Sequence, residues 1–166
     1  MKVYQPTMPV ALSKLKAGDL YYTIDGDKSV LAMRVEEEAS DHPYFVRLQG
    51  EKPFQLEDGE RRLDTIVQPA TDLECRIVGS GITVTHPLQD LIPGSLVFGN
   101  GLSGIIIRNH QQKSAYNLVT GKGLAGASIL PCACYGSWKL VRKVDKPEKP
   151  VDDYHLEDVF TFPKSS

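Results

Sequence analysis

What is scarce in this chain narrows its possible classes first. No apolar run approaches the roughly 20 residues of a membrane-spanning helix, so no membrane role is expected. The opening Met1-Lys2-Val3-Tyr4-Gln5-Pro6 lacks the apolar core of a secretory signal. Three cysteines are too few, and odd in number, for a disulfide framework. Both absences point to a cytoplasmic protein. Neither charge dominates: 19 Lys and Arg stand against 21 Asp and Glu, a formal net charge of −2. A dedicated DNA or RNA binder rests on a basic surface, so nucleic acid is disfavoured as a partner. Helix signals are sparse as well. The best candidate runs from Pro9 to Lys16, and Gly18 ends it.

What is present is strand. Leu20, Tyr22 and Ile24 alternate with Tyr21 and Thr23, Asp25-Gly26-Asp27 turns the chain, and Val30 to Val35 returns. Tyr44 to Leu48 is a third strand, and Ile66-Val67 before Pro69 a short closing one. Cys75 to Val78, Gly79-Ser80-Gly81 and Ile82 to Thr85 read as a hairpin joining two halves. The pattern then restarts. Leu15-Lys16-Ala17-Gly18-Asp19-Leu20-Tyr21-Tyr22 matches Leu91-Ile92-Pro93-Gly94-Ser95-Leu96-Val97-Phe98, and Leu31 to Arg34 matches Ile105 to Arg108. The third strand aligns either with Gly50 on Gly121 or with Tyr44 on Tyr116 and Val46 on Leu118. The second is preferred, because a one-residue slip exchanges core and solvent faces. Similarity in a fixed order implies an internal duplication. Hydrophobic content of 41% supports a real core, and two small halves need to share an interface to be stable.

The phrase L-x-x-G-D/S-L, followed by a strand, a glycine turn and a β-branched strand, resembles the opening of SH3-like small barrels, including KOW-type modules. The resemblance spans residues 12–50 and 88–122. It implies a fold and no chemistry; the basic surface of KOW-type modules is not seen. The expected architecture is all-β: two SH3-like small barrels, or one fused barrel of two half-repeats, with a C-terminal tail. The boundaries are 1–72 and 88–145 for the repeats, 73–87 for the connecting hairpin, and 146–166 for the linker and tail. Lys146-Pro147-Glu148-Lys149-Pro150 is a charged, proline-punctuated linker. The apolar residues among Tyr154 to Phe162 call for docking on the body or on a neighbouring subunit.

Motifs with chemistry are few. Gly99-Asn100-Gly101-Leu102-Ser103-Gly104 and Gly121-Lys122-Gly123-Leu124-Ala125-Gly126 both spell G-x-G-x-x-G. Nucleotide binding needs a helix to follow that loop. Ile105-Ile106-Ile107 follows the first as a strand, and Pro131 leaves the second about one helical turn. Both are turns, and no cofactor is expected. Cys132-Ala133-Cys134 places two sulfurs on one face of a strand, but a zinc site needs a second ligand pair. Buried small hydrophobes are the simpler reading, so no metal is expected. Asp41-His42 and Asp153 near His155 have no nucleophile beside them.

The outward faces then carry the functional expectation. With Leu20, Tyr22, Ile24, Met33 and Val46 facing in, the alternation turns Tyr21, Arg34, Phe45, Arg47 and Arg108 outward. Aromatic and Arg side chains on neighbouring strands make a contact surface of the type enriched in interfaces. The alternative is that they stabilise the sheet, or that the other repeat covers them. The function expected is a non-enzymatic protein-binding or assembly module, with a protein partner or self-association. The competing reading is a small hydrolase or metal-dependent enzyme using Cys132, Cys134 and a histidine.

Overall fold

A computed structural model describes residues 8–37, 42–145 and 154–163. The chain is all-β, in three antiparallel sheets. The first contains β1 (Val10–Ala11), β2 (Leu20–Asp25), β3 (Lys28–Glu36), β4 (Pro43–Arg47), β5 (Leu56–Asp58) and β6 (Ile66–Pro69). β7 (Leu73–Ile77) leaves it. The second contains β8 (Ile82–Val84), β9 (Leu96–Gly99), β10 (Leu102–Asn109), β11 (Gln112–Asn117), β12 (Gly123–Leu124) and β13 (Cys132–Tyr135). β14 (Trp138–Asp145) leaves that sheet, and β15 (Tyr154–Phe162) follows it. The six-stranded sheets run β1-β6-β2-β3-β4-β5 and β8-β13-β9-β10-β11-β12, and the third sheet runs β7-β14-β15. Each half thus visits its strands in the same spatial order. Among the described residues no helix is long and apolar enough to cross a membrane.

Three local expectations change. The helical stretch at Pro9 to Lys16 is β1 followed by one 3-10 turn, Leu12–Lys14, with its counterpart at Leu88–Asp90. The segments flanking Gly79-Ser80-Gly81 are both strands, but they do not pair with each other: β7 pairs with β14 and β8 with β13. Of the two glycine motifs, the first is a hairpin turn as expected, whereas the second is not a turn. Asn100 and Gly101 occupy the left-handed region between β9 and β10, and the second motif holds β12 and the single helical turn α1 (Gly126–Ile129).

The correspondence between halves is read from hydrogen bonds. Gly18 N–H donates to Arg34 O at 2.8 Å and Arg34 N–H to Asp19 O at 3.0 Å; Gly94 N–H donates to Ile106 O at 2.7 Å and Ile106 N–H to Ser95 O at 2.9 Å. Gly18 and Gly94 therefore correspond, and so do Leu20 and Leu96. Arg34 corresponds to Ile106 rather than to Arg108, and Met33 to Ile105 rather than to Ile107. By strand pairing, Val46 corresponds to Tyr116 and not to Leu118. The sequence alignment slips because the second hairpin is shorter. It closes at Gly99↔Leu102, whereas the first runs on to Asp25↔Lys28. A two-residue slip leaves every side chain on its expected face, which is why the error was invisible in the pattern.

The halves meet face to face. Leu31, Met33, Val35 and Val46 pack with Leu96, Ile105, Ile107 and Tyr116 in one shared core, closed by Trp138, Leu140 and Phe160. Each such buried side chain contributes about 1.5–3 kcal/mol, so each half supplies much of the other's stability. Contacts across this interface come in reciprocal pairs. Glu36 N–H donates to Gly121 O at 3.0 Å, and Arg108 N–H to Phe54 O at 2.8 Å. Gly121 and Phe54, at matching sites, both adopt positive φ. At Gly121 a side chain is also excluded by contact, since a Cβ would lie 2.1 Å from Gly18 N. In the third sheet Cys75 lies opposite Leu140, and these are corresponding residues of the two halves.

The tail docks in cis. β15 pairs with β14 along its length, with an irregularity at Leu140/Val141. Phe160 sits 5.1 Å from the Trp138 ring and 6.3 Å from the Phe54 ring, centroid to centroid. Trp138 also donates its indole N–H to Gly94 O at 2.7 Å. The linker 146–150 lies outside the described residues.

Candidate functional site

Each half also has a core of its own on the other face of its sheet, and this overturns part of the expected surface. Tyr21 and Phe45 are 1% and 2% exposed. They pack with Leu12, Leu15, Ala32 and Val67. The alternation was read correctly, but the second face is covered by the half's own β1, β6 and 3-10 turn. Arg34 is only 13% exposed at its side chain. Its guanidinium donates to Leu12 O and Ser13 O, both at 3.3 Å, and to Leu15 O, and it pairs with Glu36 at 3.4 Å. It takes the place that Ile106 fills in the second half's core and ties down the 3-10 turn. Arg47, 15% exposed, is held between Asp25 and Glu57 at 2.6 Å each. Arg108 is exposed, on the edge of a groove between the β2–β3 turn, residues 48–55 and β15. The five residues therefore do not form one surface.

The structure instead opens the first half at one end. β6 pairs with β2 only at Tyr21↔Pro69 and Tyr22↔Gln68, then turns away to pair with β1 through Ile66 and Val67. Among the described residues, Thr23 to Asp25, beyond Tyr22, have no strand on that side. Between the diverging strands lies an open cleft of about 580 Å³. Its floor is Tyr21, Phe45 and Leu12, and its lining includes Ile24, Ile66 and Arg62. Ile24 and Ile66 are 67% and 65% exposed, so Ile24 is not the core residue that alternation suggested. The Arg62 guanidinium lies 4.9 Å over the Phe45 ring, a cation–π contact. Burial raises the Tyr21 hydroxyl well above its ordinary pKa, and the nearby Arg62 offsets part of that. Tyr21 therefore stays a neutral phenol.

In the second half the corresponding opening is shut. Gly99 matches Thr23 by the pairing of the two hairpins. A Cβ at Gly99 would lie 2.0 Å from Ile129 O and 2.6 Å from Pro131 O. The glycine lets the α1 segment lie directly on β9, where the Asn100 side-chain amide holds Ser128 O and Leu130 O at 3.1 Å. Ile129, fully buried, fills the space. The first half has the 3-10 turn Glu60–Arg62 in this position and Thr23 where Gly99 would be needed. Ile24, Ile66 and Arg62 were missed by sequence reasoning. The one available signal was this Thr/Gly difference between the two halves.

Cys132 and Cys134 lie in the second half's core with Val84, Val97 and Ile129. Burial pushes both thiols up, and for Cys134 a hydrogen bond with Ser95 works against the rise. A buried thiol with a raised pKa is a poor nucleophile. Comparison with protein-family models, with curated proteins and with solved structures gives no match.

Proposed function

We propose that the chain is a non-enzymatic protein-binding module, and that it takes an extended peptide segment in the open cleft of its first half. The observation that carries this reading is the stretch Thr23 to Asp25, which among the described residues has no neighbouring strand on its β6 side and borders an apolar, aromatic-floored cleft. A partner strand added along Thr23 to Asp25 gains backbone hydrogen bonds, and its alternate side chains enter between Ile24 and Ile66. Covering those two isoleucines supplies the apolar gain. Among the described residues Arg62 is the one charged residue in the cleft lining, so an acidic residue in the ligand suits it. The same strand order in both halves, each with a helical turn before the last strand, supports an SH3-like duplication in which one copy keeps an open mouth and the other has closed it.

The test is peptide display against the full chain, counter-selected on an Ile24→Glu/Ile66→Glu variant, with NMR mapping of an enriched peptide. Alternating apolar sequences that shift the amides of residues 23–25 and 66–68 are expected. Peptides that bind both forms equally, or shifts confined to another surface, overturn the reading. Light scattering adds a second arm: a dimer that dissociates in the variant identifies the partner strand as a second copy of this chain.

A further inference from the structure

On the opposite edge of the first sheet, His42, Asp58 and Glu60 bring three ligand-bearing side chains together, with their nearest donor atoms all within 4.8 Å of one another. Among the described residues this is the only group of three or more such side chains at that spacing. We propose that these three residues form a binding site for a divalent transition-metal ion such as Zn2+.

The backbone holds the ligands in place. Tyr44 pairs with Asp58 across β4 and β5, which sets His42 two residues before Tyr44 near the end of β5. Gly59 N–H donates to Pro43 O at 2.9 Å. A Cβ at Gly59 would lie 2.7 Å from that oxygen, so glycine is what allows the chain to turn back against β4 and present Glu60. Glu60 N–H donates to the Asp58 carboxylate at 2.8 Å and orients it. The His42 ring rests against the Tyr44 ring at 4.7 Å. Its Nε2 lies 3.2 Å from Asp58 Oδ1. That is close to the roughly 3.3 Å edge of a tetrahedron with metal–ligand bonds near 2.0–2.1 Å. A Glu60 carboxylate oxygen lies within 4.8 Å of both.

The ligand set selects the ion. One imidazole with two carboxylates suits Zn2+ and its neighbours, whereas Ca2+ and Mg2+ prefer oxygen throughout. The Asp58 side chain is 65% exposed and the His42 side chain 29%, which leaves room for water to complete the coordination. The second half carries none of these ligands. By strand pairing, its residues at these positions are Gln112, Ala125 and Ala127, and Gly126 corresponds to Gly59.

The experiment is calorimetric titration of the full chain with ZnCl2, beside His42→Gln and Glu60→Gln variants, after melting in EDTA has established that the variants fold. One saturable site is expected, weakened at least about tenfold in each variant; loss of even an outer-sphere partner costs that much. Co2+ substitution should give the visible spectrum of a low-coordinate mixed N/O site in the native chain only. Ca2+ should not compete. Equal Zn2+ binding by native and variant chains would mean that another histidine holds the ion and would overturn the proposal, as would no binding at all.

Discussion

Phe160→Ala probes how firmly the tail holds the body together. Phe160 is 8% exposed and packs on Trp138 and Phe54, side chains that also close the shared core. Truncating a buried phenylalanine costs about 3–5 kcal/mol, made up of the lost transfer energy and the cavity left behind. For a chain of 166 residues, each kcal/mol lowers the melting temperature by about 2–4 °C. The expected fall is therefore about 6–20 °C by circular dichroism. Glu157→Ala, an exposed change on the same strand, should stay within about 2 °C of the native chain. A Phe160→Ala protein that melts within about 2 °C of native would mean that β15 contributes nothing and that the docking described for Phe160 is wrong.

Removing everything after Val144 takes away the whole of β15 and should lower the melting temperature at least as far as Phe160→Ala; equal melting would refute a structural role for the tail. Arg34→Ile puts into the first half the residue type that the second half carries at that site. It should nevertheless cost about 1.5–3 kcal/mol in urea unfolding, because carbonyls of Leu12, Ser13 and Leu15 lose a charged donor; an unchanged midpoint would refute the anchoring role. Gly121→Ala should cost about 1–3 kcal/mol or more, since it combines a left-handed φ with a clash against Gly18; urea unfolding measures it, and a loss under about 0.5 kcal/mol would count against the close approach. Cys75 is exposed as a residue, but desolvation of its sulfur by the surrounding chain pushes the thiol up to about 11. The thiolate is the reactive form, so below that pH its fraction falls about tenfold per unit. Iodoacetamide labelling followed by mass spectrometry should accelerate about tenfold per pH unit from 8 to 10; a plateau by pH 9 would refute the shift.

Strand alternation made the first hairpin and the third strand legible, because each is a local pattern of period two, and the apolar content of Tyr154 to Phe162 made the docking of the tail legible. The restart of the pattern at Leu91 was also visible, through one glycine and its flanking leucines. What alternation does not encode is which neighbour covers which face. Tyr21 and Phe45 belong to an outward-reading row, yet they are buried beneath chain that is distant in sequence. Ile24 belongs to an inward-reading row, yet it is exposed because β6 leaves β2 two residues earlier. The pairing of β7 with β14 was hidden for the same reason: its register depends on the meeting of two halves and on no local turn. The closure of the second half depends on a carbonyl of one segment touching the backbone of another, and at Gly99 the sequence offers only a missing side chain as the clue.

The opposition of Cys75 and Leu140 has a consequence for how the chain can be divided. Because corresponding residues face each other there, β7 and β14 are related as the two strands of a symmetric dimer interface would be. The polypeptide passes from one half to the other through Gly79-Ser80-Gly81. Cleavage at that point would leave every ladder in the three sheets intact. The two fragments would have complementary shared faces and a common sheet with which to find each other again, so the nicked protein should stay a stable heterodimer. Neither fragment alone could cover its inner face, and the shortest independently folding form of this sequence would need two chains.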